Sequence, residues 1–156
     1  MPTLIVLRHA KAVAGLGMAD IDRPLNDRGR RDAAATGDWL RDNTLTPDRV
    51  LCSTAVRTRE TLQGLALDAE VSFEAQIYDN DPETLLSLIR ENGDSASRLL
   101  LVGHNPSVHQ LIFDLTGSAP DAFPTCALAV IEVEPTWSDI RPGAGTLLQH
   151  RTPKGN

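Results

Sequence analysis

Short, almost purely aliphatic runs punctuate the chain: "TLIVL" at residues 3–7, "RVLC" at 49–52 and "LLLV" at 99–102, with helix-length segments between them. Such runs are the mark of strands covered on both faces, and covering both faces of a sheet takes helices on each side. Helical patterning falls at 26–43, 55–67, 82–92 and 106–116, which is the order of an α/β fold whose crossover helices join parallel strands. A shorter run at 71–73 belongs at or near a sheet edge. The pattern then changes, because 126–133 and 145–151 are strand-like with the turn-rich "PTWSDIRPGA" between them. That predicts a terminal antiparallel hairpin. The expectation is a single three-layer α/β/α domain over residues 1–156, with a mainly parallel central sheet and the hairpin at its end. The final "TPKGN" is expected to fray.

Helix ends support this layout. Asn26 suits an N-cap ahead of "DRGRRDAAATGDWL", and Asn105 with Pro106 forms a cap and first-turn pair for the fourth helix. Gly93 is placed to stop the third helix and Gly117 the fourth.

Composition excludes several classes. A chain of 156 residues with 41% hydrophobic content can bury a substantial core. Its apolar runs are far shorter than a membrane span, and no basic segment followed by a signal-like stretch opens the chain, so the expectation is a cytoplasmic protein. The two cysteines, Cys52 and Cys126, form no C-x-x-C pair and suggest neither a disulfide framework nor a zinc knuckle. A formal charge of −6 argues against a nucleic-acid binder, which needs clustered cations to displace counterions. Any anion site must therefore be local.

Such a site is suggested at the strand ends. Ligands of parallel α/β sheets sit beyond the carboxyl ends of the strands, where helix N-termini also present free N–H groups. The first strand runs into Arg8 and His9, the second into Ser53 and then Arg57, and "LLLVG" into His104. Arginine presents a planar fork matched to phosphate oxygens. A histidine can attack phosphorus and carry the group covalently. Nearby guanidinium charge would keep its attacking nitrogen unprotonated near neutral pH. No carboxylate and histidine spacing suggests a pair of metal ions.

The segments "LRHAKA", "DIDRPLNDRGRRDA", "CSTAVRTRET" and "LLVGHNP" resemble the histidine phosphatase superfamily, also called phosphoglycerate mutase-like, with the match closest to small bacterial phosphohistidine phosphatases of the SixA type. The resemblance runs from about Leu4 to the final hairpin. It implies that His9 is the phosphorylated nucleophile, that Arg8, Arg57 and His104 bind the phosphoryl group, and that neither metal nor cofactor is required. The substrate would be a phosphorylated protein or a small phosphorylated metabolite. Two departures stand out. Ala10 occupies a position where the family usually has glycine, restricting a positive φ or close backbone approach there. The stretch "SFEAQIYDNDPETLL" offers Glu74, Asp79 and Asp81 but no clear match to the family's usual proton donor, so the general acid stays unassigned.

Competing readings are a phosphoglycerate mutase or small-molecule phosphomonoesterase of the same fold, mutases being generally longer, and a phospho-binding module without turnover. A cysteine phosphatase would need C-x5-R, and only four residues separate Cys52 from Arg57. Arg23 resembles a pocket-mouth residue but also fits a surface position, and Lys11 fits either added positive potential or solvation. Arg59 faces away from Arg57, Glu60 suits a structural ion pair, Trp39 suits packing, and His109 and His150 lie away from the expected rim.

Overall fold

The computed structural model describes residues 2–93 and 96–153. Six strands form one sheet: β1 Thr3–Arg8, β2 Arg49–Cys52, β3 Glu70–Phe73, β4 Arg98–Gly103, β5 Leu128–Val133 and β6 Gly145–Arg151. Their order is β3-β2-β4-β1-β5-β6. The first four are parallel, while β5 runs antiparallel to β1 and pairs antiparallel with β6. The run at 71–73 thus lies in an edge strand, and the C-terminal hairpin forms as its pattern predicts.

Alternation along the strands divides the core in two. Ile5, Leu7, Val50, Cys52, Leu100 and Val102 face one side, packing with Ala33 and Leu40 of α1 (Asp27–Asp42) and Leu65 of α2 (Val56–Leu65). Leu4, Val6, Leu51, Leu99 and Leu101 face the other, against α4 (Pro82–Asn92) and α5 (Ser107–Thr116). These strand residues are fully buried, and each large aliphatic side chain so buried contributes about 1.5–3 kcal/mol. The three-layer α/β/α arrangement follows from covering both faces.

Asn26 caps α1, its side chain accepting from the Gly29 N–H at 2.8 Å. Gly117 ends α5 in the left-handed region at φ 72°, which glycine adopts without strain. Asn105 does not cap α5: its Nδ2 donates to the Phe123 carbonyl at 2.8 Å. Asn80 supplies that cap instead, its Oδ1 accepting from the Ser107 N–H at 3.0 Å. Gly93 follows α4 with φ −76° and makes no left-handed stop. Its missing side chain leaves room for the Trp137 ring, so its requirement is for space. Trp137 and Ile140, within the turn-rich connection, are buried, and the Trp137 indole donates to the Ala96 carbonyl at 2.8 Å. Of the expected fraying tail, Pro153 is buried and residues 154–156 lie outside the described residues.

Candidate active site

Register brings the strand ends level. Arg8 pairs with Gly103 across β1 and β4, and the Ser53 N–H reaches the Val102 carbonyl at 3.2 Å, so three chain segments leave the sheet side by side. His9 and His104 follow immediately. The His9 N–H holds the Gly103 carbonyl at 3.1 Å, and the two imidazole centroids are 5.4 Å apart. Arg57 projects from the first turn of α2. A cavity of about 370 Å³ opens here, with Arg8, His9, Arg57 and His104 among its walls. The four residues expected from the strand ends are brought together.

The tautomers follow from the partners. His9 Nδ1 lies 2.7 Å from the Ala10 carbonyl oxygen, which can only accept, so Nδ1 carries the hydrogen and Nε2 keeps its lone pair. His104 Nδ1 lies 3.4 Å from an Arg57 nitrogen, which can only donate, so its hydrogen sits on Nε2 and is given to Ser53 Oγ at 2.9 Å. Burial, then repulsion from His104, Arg57 and Arg8, lowers the His9 pKa to about 3, although its bond to Ala10 works the other way. His104 is lowered to about 4, again by burial first and Arg57 second. Burial therefore outranks the guanidinium charge that the sequence brings to mind. Both rings are neutral at pH 7.

Alanine is accommodated at position 10. Its φ is not in the left-handed region, its N–H donates to Thr61 Oγ1 at 2.9 Å, and its carbonyl orients His9. Thr61 also donates to the Arg57 carbonyl at 2.7 Å, so one hydroxyl ties the His9 loop to the helix carrying Arg57. Arg8 reaches the Phe123 carbonyl at 3.1 Å. The Nε–H groups of Arg8 and Arg57 are buried without a hydrogen-bond partner, leaving donor capacity around the cavity incompletely used.

None of the three candidate acids lines the cavity. Glu74 accepts from the Ser72 hydroxyl at 2.9 Å, Asp79 ends the short helix α3 (Ala75–Tyr78), and Asp81 caps α4. The carboxylate that does line it is Asp20, in a 3-10 turn over Asp20–Asp22. Arg57 donates to the Asp20 carbonyl at 2.8 Å and to its Oδ2 at 3.0 Å; Tyr78 O–H donates to Oδ2 at 2.6 Å and Arg23 Nε to Oδ1 at 3.0 Å. Tyr78 foremost, with Arg57 and Arg23, lowers the Asp20 pKa to about 2. Sequence reasoning missed Asp20, Tyr78 and Asn80. The available signal was the three-residue spacing of Asp20 and Arg23 within "DIDRPL".

The remaining residues have ordinary roles. Arg23 stands at the cavity mouth with its side chain 25% exposed, and Lys11 is exposed. Glu60 accepts from the Leu25 N–H at 2.8 Å and forms no ion pair among the described residues, and Arg59 lies over the Phe73 ring at 4.2 Å. Trp39 packs beside the α1 core, His109 bonds the Pro120 carbonyl at 2.7 Å, and His150 is exposed. Burial pushes the Cys52 thiol up to about 12 and the Cys126 thiol up to about 11, the opposite of what a thiolate nucleophile needs. Among the described residues, no group of three or more His, Cys, Asp or Glu is gathered to hold a metal ion. No helix among them is long and apolar enough to cross a membrane.

The signature of the histidine phosphatase superfamily (branch 1) matches residues 4–80. An uncharacterized protein of Mycobacterium tuberculosis is 39% identical over 158 residues, covering 95% of this chain and all of that one. Two solved structures, each assigned as a SixA phosphohistidine phosphatase, share the fold. The one from Agrobacterium tumefaciens has a TM-score of 0.84 at 31% identity, covering 97% of this chain and 99% of its own. The one from Nakamurella multipartita has a TM-score of 0.88 at 29% identity, covering 98% and 96%.

Proposed function

Because this chain belongs to the histidine phosphatase superfamily, we propose that it is a metal-independent phosphohistidine phosphatase working through a covalent phosphohistidine on His9. The observation that carries this reading is the His9 ring itself. Its Nδ1–H is held by the Ala10 carbonyl, which leaves the Nε2 lone pair free on an imidazole that lines a cation-rich cavity. A neutral, oriented imidazole is what nucleophilic attack on phosphorus requires.

The proposed cycle has two displacements. His9 Nε2 attacks phosphorus, the bond to the leaving group breaks with its electron pair leaving on that group, and the phosphoryl passes to His9. Water then attacks the phosphohistidine and releases phosphate. In each transition state charge spreads over the three equatorial oxygens, and the role of holding them falls in this reading to Arg8, Arg57 and His104, which line the cavity. His104 turns an acceptor nitrogen toward Arg57, so contact with a phosphoryl oxygen requires a proton on Nδ1. A dianion nearby favours that proton by simple attraction.

Substrate choice follows from the leaving group. An alkyl ester expels an alkoxide and gains much from a proton donor. Phosphohistidine already protonated on its far ring nitrogen expels a neutral imidazole, whose conjugate acid has a pKa of about 6.5, and needs no donor in the step. A site that none of Glu74, Asp79 and Asp81 lines, and where Asp20 is ionised, suits phosphohistidine.

The deciding experiment assays a phosphohistidine protein, a phosphoserine peptide, aryl phosphate and sugar phosphates side by side, before and after dialysis against chelator. Phosphohistidine turnover fastest and unchanged by chelator, with an acid-labile label absent from His9→Ala, is expected. Preferential hydrolysis of sugar phosphates would point to the small-molecule phosphomonoesterase instead. Activity lost with chelator and restored by Mg²⁺ or Zn²⁺ would overturn metal independence.

A further inference from the structure

We propose that the Asp20 carboxylate is the specificity determinant of the site, accepting an N–H of the leaving group and so selecting phosphoramidates over phosphate esters. This rests on the phosphatase reading and deepens it.

The geometry runs from floor to mouth. His9 is 7% exposed, and Tyr78 packs edge-on to His104 at 5.5 Å. Asp20 sits beyond them with its side chain 54% exposed, while its partner Arg57 is 7% exposed. An in-line displacement by a buried His9 sends the leaving group outward, toward the carboxylate. Arg23 and Tyr78 keep Asp20 in place from the side of the mouth through bonds that do not involve Arg57. Among the described residues Asp20 is the one carboxylate lining the cavity, and the other side chains there are cationic or neutral.

Charge decides what Asp20 favours. A phosphoimidazole reacts with its far nitrogen protonated: His9 Nε2 bonds to phosphorus, the P–N bond breaks, its electron pair returns to the ring, and neutral imidazole leaves with its far N–H. No proton is transferred in the step. Relative to free neutral substrate the ring is partly positive in the transition state, and an adjacent carboxylate stabilises it. An ester's leaving oxygen becomes partly negative there, and the same carboxylate opposes it. Only an interaction stronger in the transition state than in the separated reactants raises kcat/KM, so Asp20 acts with opposite sign on the two classes.

The test is Asp20→Asn, which keeps the backbone carbonyl bonded to Arg57 and leaves the side chain's size almost unchanged. kcat/KM is measured for a phosphohistidine peptide, inorganic phosphoramidate and p-nitrophenyl phosphate. The expected result is a loss of roughly tenfold or more on both phosphoramidates, set by a charge pair between water and protein-surface dielectric, with the aryl ester unchanged or faster. An equal loss on all three substrates would make Asp20 merely a support for Arg57 and overturn the proposal. A loss confined to the ester would make it a proton donor and overturn it too. Wild-type enzyme that cleaves the ester but neither phosphoramidate would overturn the phosphohistidine reading along with it, whereas an equal loss leaves that reading intact.

Discussion

At His9 and His104 the fold withholds protons that the unfolded chain would accept. The folded pKa values of about 3 and about 4 lie below the ordinary 6.5, so their contribution to stability is fully present above pH 6.5 and is lost as pH falls toward 3. Asp20 acts in the same direction lower down, its contribution being lost between the ordinary 3.8 and about 2. At pH 5, unfolding is expected to take up about two protons at the histidines, and His9→Ala to remove about one of them. The slope of urea-derived stability against pH measures this, and an unchanged slope in the variant would contradict it. For activity, Arg57→Ala is expected to lower kcat/KM by roughly 10²- to 10³-fold, the usual cost of one donor to developing charge. A near-normal value on phosphohistidine would remove Arg57 from the phosphoryl site.

Among the elements, α1 and α2 position the His9 loop. Gly29, in the first turn of α1, lies against the Lys11 carbonyl so closely that a Cβ would collide with it. Alanine there would gain about 1 kcal/mol of helix propensity. The collision costs about 1–3 kcal/mol and displaces the loop that orients His9. Gly29→Ala is thus expected to lower both Tm and kcat, and a raised Tm would show that the loop yields freely. Thr61→Val keeps the shape of α2 but strands the buried Ala10 N–H, a cost of about 1–3 kcal/mol. Urea unfolding of that variant gives the value, and a neutral change would mean that Ala10 finds another acceptor.

Across the whole molecule, chemistry and anchoring occupy opposite ends of the sheet. The cavity lies beyond the carboxyl ends of β1, β2 and β4, whereas Trp137 reaches Ala96 just ahead of β4 and fills the space left at Gly93. Trp137→Ala is expected to destabilise by about 3–5 kcal/mol, as for a buried large aromatic, while kcat of the folded enzyme stays near normal. Thermal unfolding beside kinetics at low temperature checks this, and a matching loss of kcat would couple the two ends. Charge is divided as well: an acidic chain of formal charge −6 gathers Arg8, Arg23 and Arg57 at one cavity. Anion binding is a property of that arrangement rather than of net charge.

The strands, the four long helices and the residues leaving β1, β2 and β4 were legible because burial on both faces and helical periodicity are written in neighbouring residues. "TLIVL" has to be covered on each side whatever surrounds it, and the residue after such a strand has to emerge at its end. The cap of α5 was misplaced because it comes from Asn80, distant in sequence. Gly93 resembles a turn glycine until Trp137 is seen against it. Asp20 belongs to a single 3-10 turn and Tyr78 to the four-residue helix α3, and what such short elements meet depends on how the chain closes over long separations. Patterning therefore determined the sheet and the four residues at its rim. Only the tertiary structure decided that burial sets their protonation and that a carboxylate stands at the mouth, because both depend on surroundings that no local segment contains.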